Sequence, residues 1–217
     1  MDVKALPMRV QAAEVDRKSP SHRNGAAVLL QPRGNIVTLS AAKMGGMDEQ
    51  TPVEAALREI ERHVTDAGWD QPTRLFALVS TRDLMVKEPS LAVDLDSTDA
   101  PALTSIEQDG LPPHSDLTDL LTGMTWPSTV LGIAVVAERI VLPSDADHEL
   151  PDDLEEAREI AARDPRRHEL RVAAAAMRDG SGFSLLRLRD HDDDAALLAG
   201  PQLISGLSGL LSASLLD

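Results

Sequence analysis

The chain has 217 residues, of which 42% are hydrophobic, and this length and composition suffice for one domain with its own core. Its formal net charge is −15 and it contains two Trp, two Phe and no Tyr, which argues against nucleic-acid binding. The lack of cysteine excludes disulfides and thiolate metal sites. No apolar run near the N-terminus is long enough for a secretory signal, so we expect a cytoplasmic protein.

Residues 1–46 differ in composition from the rest of the chain. They hold seven Lys or Arg residues against three Asp or Glu residues, so the whole excess of negative charge lies in residues 47–217. We interpret residues 1–46 as a disordered extension, or as a segment that precedes the start of the working protein near Met44 or Met47. A basic arm for an acidic partner is the alternative. Residues 47–217 are predicted to form a single domain.

The predicted domain begins with a helix. Thr51 is a favourable N-cap with Glu54 three positions later, Pro52 suits the first helical turn, and Gly68 suits the end of the helix. Apolar residues at helical spacing mark the side that faces a core, namely Val53, Leu57, Ile60 and Val64.

Four further segments are predicted before residue 144. Residues 74–80 and 102–108 have the composition of strands, and a short helix is predicted after Ser115. The most apolar run, residues 129–143, does not alternate apolar and polar residues. This pattern is typical of a central strand that is covered on both faces.

A helix, a hairpin and a last helix are predicted in the C-terminal part. The helix begins at Asp152 and ends at Pro165. Residues 169–178 and 183–189 are apolar segments joined by the sequence DGSG, which predicts a β-hairpin because Asp and Gly accept positive φ angles.

The uncharged stretch at residues 195–216 is long enough for a membrane span, but Gly200, Pro201 and four serines interrupt it and no basic residues flank it. We therefore predict an amphipathic helix that packs on the sheet. Its apolar side consists of Leu203, Leu207, Leu210, Leu211 and Leu215.

In chain order, the predicted elements are a helix, three strands with helical insertions, a helix, a hairpin and a final helix. This order predicts an α+β fold. We expect an antiparallel sheet of about five strands with an N-terminal, a middle and a C-terminal helix packed on it.

The densest run of chemically capable side chains is RLRDHDDD, at residues 187–194. Arg187 and Arg189 continue an apolar row towards the end of the sheet, because alternate residues of a strand share one face. The acidic residues follow directly, at the point where the strand is predicted to end.

Two interpretations of these acidic residues are open. In the first, Asp190 pairs with a neighbouring arginine, and Asp192 or Asp193 caps the turn that leads into a helix. In the second, Glu138, Arg189, His191 and Asp192 surround a cleft that holds a metal ion or a small ligand, since carboxylates and imidazole bind Mg²⁺ or Mn²⁺.

Three residues outside residues 187–194 are candidates for a binding site. Glu138 interrupts the most apolar segment, where it forms either a structural ion pair across strands or an acidic group in a cleft. Trp69 and Trp126 both lie beside predicted turns, where a large side chain closes the edge of a core or supports a ligand.

The sequence contains no Gly-rich phosphate loop, no GxGxxG and no GxSxG. We therefore assign no catalytic residue, no metal site and no cofactor. The candidate binding residues are Trp69, Trp126, Glu138, Arg187, Arg189, His191 and Asp192.

Three blocks of sequence resemble an uncharacterised family of actinobacterial proteins that is named after a propionibacterial member. They are EIERHVTDAGWDQPTRLFALV at residues 59–79, WPSTVLGIAVVAERIVLP at residues 126–143 and RLRDHDDDAALLAGPQLISGL at residues 187–207. The resemblance covers roughly residues 51–217 and implies a bacterial cytoplasmic protein. It implies no reaction, cofactor or catalytic residue.

The predicted order of elements is also similar, at the level of fold only, to that of type III secretion chaperones, which are small acidic binding proteins and often dimers. We expect a non-enzymatic cytoplasmic protein that binds another protein, or a second copy of itself as a homodimer. We expect neither a nucleic acid nor a membrane as partner. The alternative is a metal-dependent hydrolase or a small-ligand-binding protein that uses residues 187–194.

Overall fold

A computed structural model describes the chain at residues 28–29, 37–38, 50–89, 102–111, 117–142, 151, 154–201 and 203–216. The helices in these parts are α1 (Pro52–Asp66), α2 (Thr81–Lys87), α3 (Leu117–Thr122), α4 (Leu154–Arg163) and α5 (Ser205–Ser214). The strands are β1 (Val28–Leu29), β2 (Val37–Thr38), β3 (Arg74–Ser80), β4 (Leu103–Glu107), β5 (Val130–Leu142), β6 (His168–Met177), β7 (Gly182–Leu188) and β8 (Leu198–Gly200).

All of these strands belong to one antiparallel sheet, so the fold is α+β as predicted. The long strand β5 lies in the middle, with β6, β7 and β8 following in order from one of its edges. Its other edge pairs with β3 over residues 130–136 and with β1 at its end, and β4 lies outside β3. The predicted number of about five strands is too low, because β8 and the two-residue strands β1 and β2 also join the sheet.

Helix α1 covers one face of the sheet, which we call the α1 face. The helix starts where the sequence predicts, since the Thr51 hydroxyl accepts a hydrogen bond from the backbone N–H of Glu54 at 3.3 Å. Its apolar stripe is buried against the middle strands of the sheet. The sheet residues in this core include Phe76, Leu78, Ala134, Val136, Ala173, Ala175 and Leu185.

Helices α3 and α5 pack their leucines on the core of the opposite face, which we call the α5 face, and Leu117, Leu121, Leu207 and Leu211 are buried there. That core includes Ile133, Val135, Val172 and Leu186 from the sheet. Strand β5 contributes side chains to the cores on both faces. Its sequence therefore does not alternate apolar and polar residues, as predicted for a central strand covered on both faces. No helix in the described part of the chain is both long and apolar enough to cross a membrane.

The strand β6 carries four consecutive alanines at residues 173–176, all buried. Ala173 and Ala175 belong to the core of the α1 face, whereas Ala174 and Ala176 belong to the core of the α5 face. Small side chains on both faces allow α1 and α5 to pack close to the sheet.

The segment between β7 and α5 does not enter a helix directly, which corrects the prediction that the turn capped by Asp192 or Asp193 leads into a helix. Residues Arg189–His191 and Asp194–Ala196 form two short 3-10 turns, and β8 follows them as an edge strand beside β7. The hydrogen bonds that β8 makes with β7 outweigh the local helix preference of Ala and Leu.

Strands β1 and β2 lie within residues 1–46 and pair with each other, and β1 pairs with β5 through Val28 opposite Leu142. Met44, Met47, Ser115 and Asp152 fall outside the described residues. The boundary between an extension and a domain near residue 47 therefore stays a prediction.

Candidate functional site

The candidate site lies at one end of the α1 face, beyond the end of the apolar core. Strand pairing places Glu138 on β5 opposite Arg171 on β6, and Arg171 opposite Arg187 on β7. Glu138, Arg171 and Arg187 each lie two positions along their strand from a core residue of the α1 face. Because alternate residues of a strand share one face, their side chains also lie on the α1 face. We call Arg171, Arg187, Arg189 and the groups that bind them the arginine cluster.

Arg187 is the most fully paired member of the cluster and is only 3% exposed. Its Nε and Nη2 donate to the two carboxylate oxygens of Glu61 on α1, at 2.6 and 2.9 Å. Nη2 also donates to Asp194 at 2.6 Å, and Nη1 donates to Asp192 at 3.4 Å. The hydrogen bond from Arg187 lowers the pKa of the Asp194 carboxyl, because it stabilises the ionised form.

Arg171 is 1% exposed and connects the sheet to the end of α1. It donates to the Thr65 hydroxyl at 2.9 Å, to the Glu138 carboxylate at 3.0 Å and to the carbonyl oxygen of Gly68. Its guanidinium carbon lies 4.5 Å from the centroid of the Trp69 ring, within the range of a cation–π contact. A cation at this position also suits the negative end of the α1 dipole.

Arg189 binds the loop that follows α1. Its Nη1 and Nη2 donate to the two carboxylate oxygens of Asp70, both at 2.9 Å, and Nη1 also donates to Glu169 at 2.8 Å. Its guanidinium carbon lies 5.4 Å from the centroid of the Trp69 ring. The bidentate bond from Arg189 lowers the pKa of the Asp70 carboxyl.

The loop between α1 and β3 is held by further bonds to the sheet and to the turns after β7. The Trp69 indole Nε1 donates to Asp192 at 2.8 Å, and the backbone N–H of Asp70 donates to Glu138 at 2.8 Å. Asp70 has a φ of 65°, which is uncommon for a residue other than glycine. The hydrogen bonds of the Asp70 backbone N–H with Glu138 and of the Asp70 carboxylate with Arg189 hold the chain in this conformation.

The structure brings five of the seven predicted binding residues together in the arginine cluster, namely Trp69, Glu138, Arg187, Arg189 and Asp192. The other two lie elsewhere. Trp126 is 5% exposed in the core of the α5 face, and His191 is exposed in the first 3-10 turn. Glu138 forms a structural ion pair across strands, as one of the two sequence interpretations has it.

The acidic residues after Arg189 have separate partners. The Asp193 carboxylate accepts a hydrogen bond from the backbone N–H of Ala195 at 2.8 Å and so caps the second 3-10 turn. Asp190 lies 3.6 Å from the His168 ring nitrogen Nδ1, and among the described residues it forms no ion pair with an arginine, in contrast to the first interpretation. Within the described residues, no group of three or more His, Asp or Glu side chains is arranged to hold a metal ion.

Sequence reasoning missed Glu61, Asp70, Glu169 and Arg171 as members of the cluster. Glu61 follows Leu57 by four positions and precedes Val64 by three, so it lies on the buried side of α1. Arg171 interrupts an apolar strand in the same way as Glu138 does. A charge at a position where the pattern predicts an apolar residue was the signal for both.

The arginine cluster contains twice as many carboxylates as guanidiniums. Six carboxylates bind the three arginines, and they belong to Glu61, Asp70, Glu138, Glu169, Asp192 and Asp194. The Arg171 and Arg187 side chains are enclosed and the Arg189 side chain is 37% exposed, whereas the Asp194 and Asp70 side chains are 85% and 75% exposed. The outer surface of the cluster is therefore acidic.

These observations define an α+β domain with an acid-rimmed arginine cluster at one end of its sheet. A family model described as PPA1309-like protein matches residues 53–216, and the chain belongs to this family. The family is named after a propionibacterial protein and has no assigned function, as the sequence resemblance implied. No curated protein and no solved structure matches the chain. Strands β1 and β2 lie outside the matched range, and the whole cluster lies inside it.

Proposed function

We propose that the protein is a non-enzymatic cytoplasmic module that binds a basic segment of another protein. The binding surface is the acidic rim of the arginine cluster, which consists of Asp70, Asp190, Asp192, Asp193 and Asp194. The observation that carries this proposal is that six carboxylates bind three guanidiniums, while the side chains of two of those carboxylates, Asp70 and Asp194, are 75% and 85% exposed.

The sign of the exposed charge favours a cationic partner. An anionic ligand would have to displace a carboxylate from a guanidinium, and each of these charge-assisted bonds is strong. Lys or Arg side chains of a partner meet free carboxylate lone pairs instead. The net charge of −15 attracts such a partner over a distance and speeds its association at low ionic strength.

Four of the five rim residues are held in place before any partner binds. Asp70 and Asp194 are fixed by arginine, Asp192 by the Trp69 indole, and Asp193 by its bond to Ala195. Side chains that are already held in place lose little conformational entropy on binding. This order distinguishes the rim from exposed acidic residues that are not held in place.

The test compares the binding of two fluorescent peptide pools of equal length, one rich in Lys and Arg and one rich in Asp and Glu, by fluorescence anisotropy. We expect the basic pool to bind and Asp190→Asn/Asp193→Asn to weaken it, since neither residue pairs with an arginine of the cluster. The control Glu59→Gln/Glu88→Gln removes the same charge from exposed positions on α1 and after α2. Failure of the basic pool to bind, or equal weakening by both variants, would overturn the proposal.

A second copy of the chain remains the other partner that the sequence predicts. A homodimer of this kind requires a symmetric interface of more than about 1,000 Å². Sedimentation velocity over a hundredfold range of concentration tests it, and a constant monomer mass would rule it out.

A further inference from the structure

Two Asp–Gly pairs occupy exposed positions in the described part of the chain, and the structure holds them differently. Asp109–Gly110 follows β4, and Asp179–Gly180 lies in the hairpin between β6 and β7. We infer that Asp109–Gly110 is a site of spontaneous covalent modification, at which the aspartate isomerises to isoaspartate, and that the fold protects Asp179–Gly180 from the same reaction.

The reaction needs only the chain and water. The backbone nitrogen of the glycine attacks Cγ of the aspartate, the nitrogen loses its proton, and the carboxyl group loses OH, so one water leaves and a five-membered succinimide forms. Water then adds to one of the two ring carbonyls. Addition at Cγ restores aspartate, whereas addition at the backbone carbonyl carbon gives isoaspartate, whose main chain is one carbon atom longer. Glycine favours the attack because it has no Cβ to shield its nitrogen.

Both reacting groups of Asp179–Gly180 are engaged. The Asp179 carboxylate accepts hydrogen bonds from the backbone N–H of Ser181 at 2.8 Å and from the Ser181 hydroxyl at 2.6 Å. These bonds lower the pKa of the Asp179 carboxyl, and the ionised form cannot release water. The Gly180 N–H donates to the carbonyl oxygen of Met177 at 3.0 Å, so its nitrogen is also held.

The groups of Asp109–Gly110 are not held in this way. Both residues are exposed, and neither makes a hydrogen bond with another residue among those that the structure describes. Gly110 and Gly180 both have a positive φ, of 74° and 85°, and a Cβ built at either meets no atom within 4 Å, so the two pairs differ in their hydrogen bonds and not in this backbone geometry. The preceding residue, Gln108, donates its backbone N–H to Leu75 at 2.8 Å, which fixes the chain just before the reactive pair.

Incubation of the folded full chain in water enriched in the heavy oxygen isotope tests the inference, because each succinimide hydrolysis adds one heavy oxygen. Peptide mapping by mass spectrometry then gives the rate at each aspartate. We expect the label to enter Asp109 about ten-fold faster than Asp179. A hydrogen bond of ordinary net strength that must break before the reaction slows it by about this factor. In the chain unfolded in urea, the two rates should converge.

The variant Ser181→Ala removes the hydroxyl bond to Asp179 and should raise the labelling rate of Asp179 several-fold without changing that of Asp109. Equal rates at the two aspartates in the folded chain would overturn the inference. So would a rate difference that persists unchanged in urea, because it would then arise from neighbouring sequence and not from the fold.

Discussion

Arg187 and Glu61 are 126 positions apart in the chain and are joined by two hydrogen bonds that lie almost entirely out of contact with solvent. The pair connects β7 to α1 at the edge of the arginine cluster. Each charge is buried because the other neutralises it, so neither group is stable there without its partner.

The first prediction concerns this buried pair. Arg187→Met should lower the free energy of unfolding by about 3–5 kcal/mol, because it leaves the Glu61 charge buried with the Thr65 hydroxyl as its one remaining hydrogen-bond donor among the described residues. The double variant Glu61→Leu/Arg187→Met should recover most of that loss, since an apolar pair carries no desolvation cost. Urea unfolding followed by tryptophan fluorescence measures both.

An exposed ion pair on α4 provides the control. Arg163 and Glu159 lie 3.4 Å apart, with side chains that are 77% and 68% exposed. Glu159→Gln should change the free energy of unfolding by less than about 0.5 kcal/mol. A comparable loss at both pairs would show that burial does not determine the strength of the Arg187 pair.

The second prediction concerns acid. Arginine bonds lower the pKa of Asp70 and of Asp194 in the folded chain below the value of about 3.9 that each has when unfolded. Their stabilising contribution is therefore complete above pH ~5 and disappears as the pH falls below about 4 through the lowered values. Unfolding measured across this range should show a shallower loss of stability for Asp70→Asn/Asp194→Asn than for the wild type.

At neutral pH the same double variant should be less stable than the wild type, since it lacks the contribution that acid removes. Glu59→Gln/Glu88→Gln removes the same number of charges from exposed positions on α1 and after α2, and this matched control should keep the wild-type stability at neutral pH. If the double variant and the wild type lose stability in parallel as the pH falls, the two aspartates do not contribute as stated.

The third prediction uses two glycines to test the packing of the sheet. A Cβ at Gly182 would lie 2.8 Å from the backbone oxygen of Ala175, whereas a Cβ at Gly209 in α5 meets nothing within 4 Å. Gly182→Ala should therefore lower the free energy of unfolding by about 1–3 kcal/mol. Gly209→Ala should raise it by about 1 kcal/mol, because alanine favours a helix interior. Thermal unfolding of the two variants would contradict this if their effects had the same sign.

The fourth prediction separates the two tryptophans. Trp69 lies partly exposed among charged groups, and Trp126 lies in the core of the α5 face. In Trp126→Phe the remaining Trp69 should emit at longer wavelength and be quenched readily by acrylamide. In Trp69→Phe the remaining Trp126 should emit at shorter wavelength and be quenched weakly by acrylamide. Asp192→Asn should shift only the emission of Trp69. Equal quenching of the two single-tryptophan variants would contradict their placement.

Local patterns predicted the separate elements well. Helix α1 follows from Thr51, Pro52 and the apolar stripe, and the β6–β7 hairpin follows from the DGSG turn, in which Gly180 has a φ of 85°. These features depend on a few neighbouring residues, whose conformational preferences are readable from sequence. The arrangement of helices around the sheet requires knowledge of which apolar faces meet, and a single sequence does not contain it.

The partners within the cluster were beyond sequence reasoning for the same reason. Trp69 and Asp192 are 123 positions apart, and Asp70 and Arg189 are 119 apart. The sequence identified most of these residues as unusual, but it did not indicate that the end of α1 and the turns after β7 meet. Strand β8 was missed because its pairing with β7, and not the local preference of its residues, determines its structure.

The alanine run of β6 has a consequence for how the sheet finds its alignment. Since residues 173–176 are identical, sliding β6 along its neighbours by one or two positions changes almost nothing in the volume that those residues fill. The row of Glu138, Arg171 and Arg187 specifies the register of β6. A slip of one position would move the Arg171 side chain from the α1 face into the apolar core beneath α5. These three charged side chains thus fix the register of a strand whose alanine run would not fix it alone.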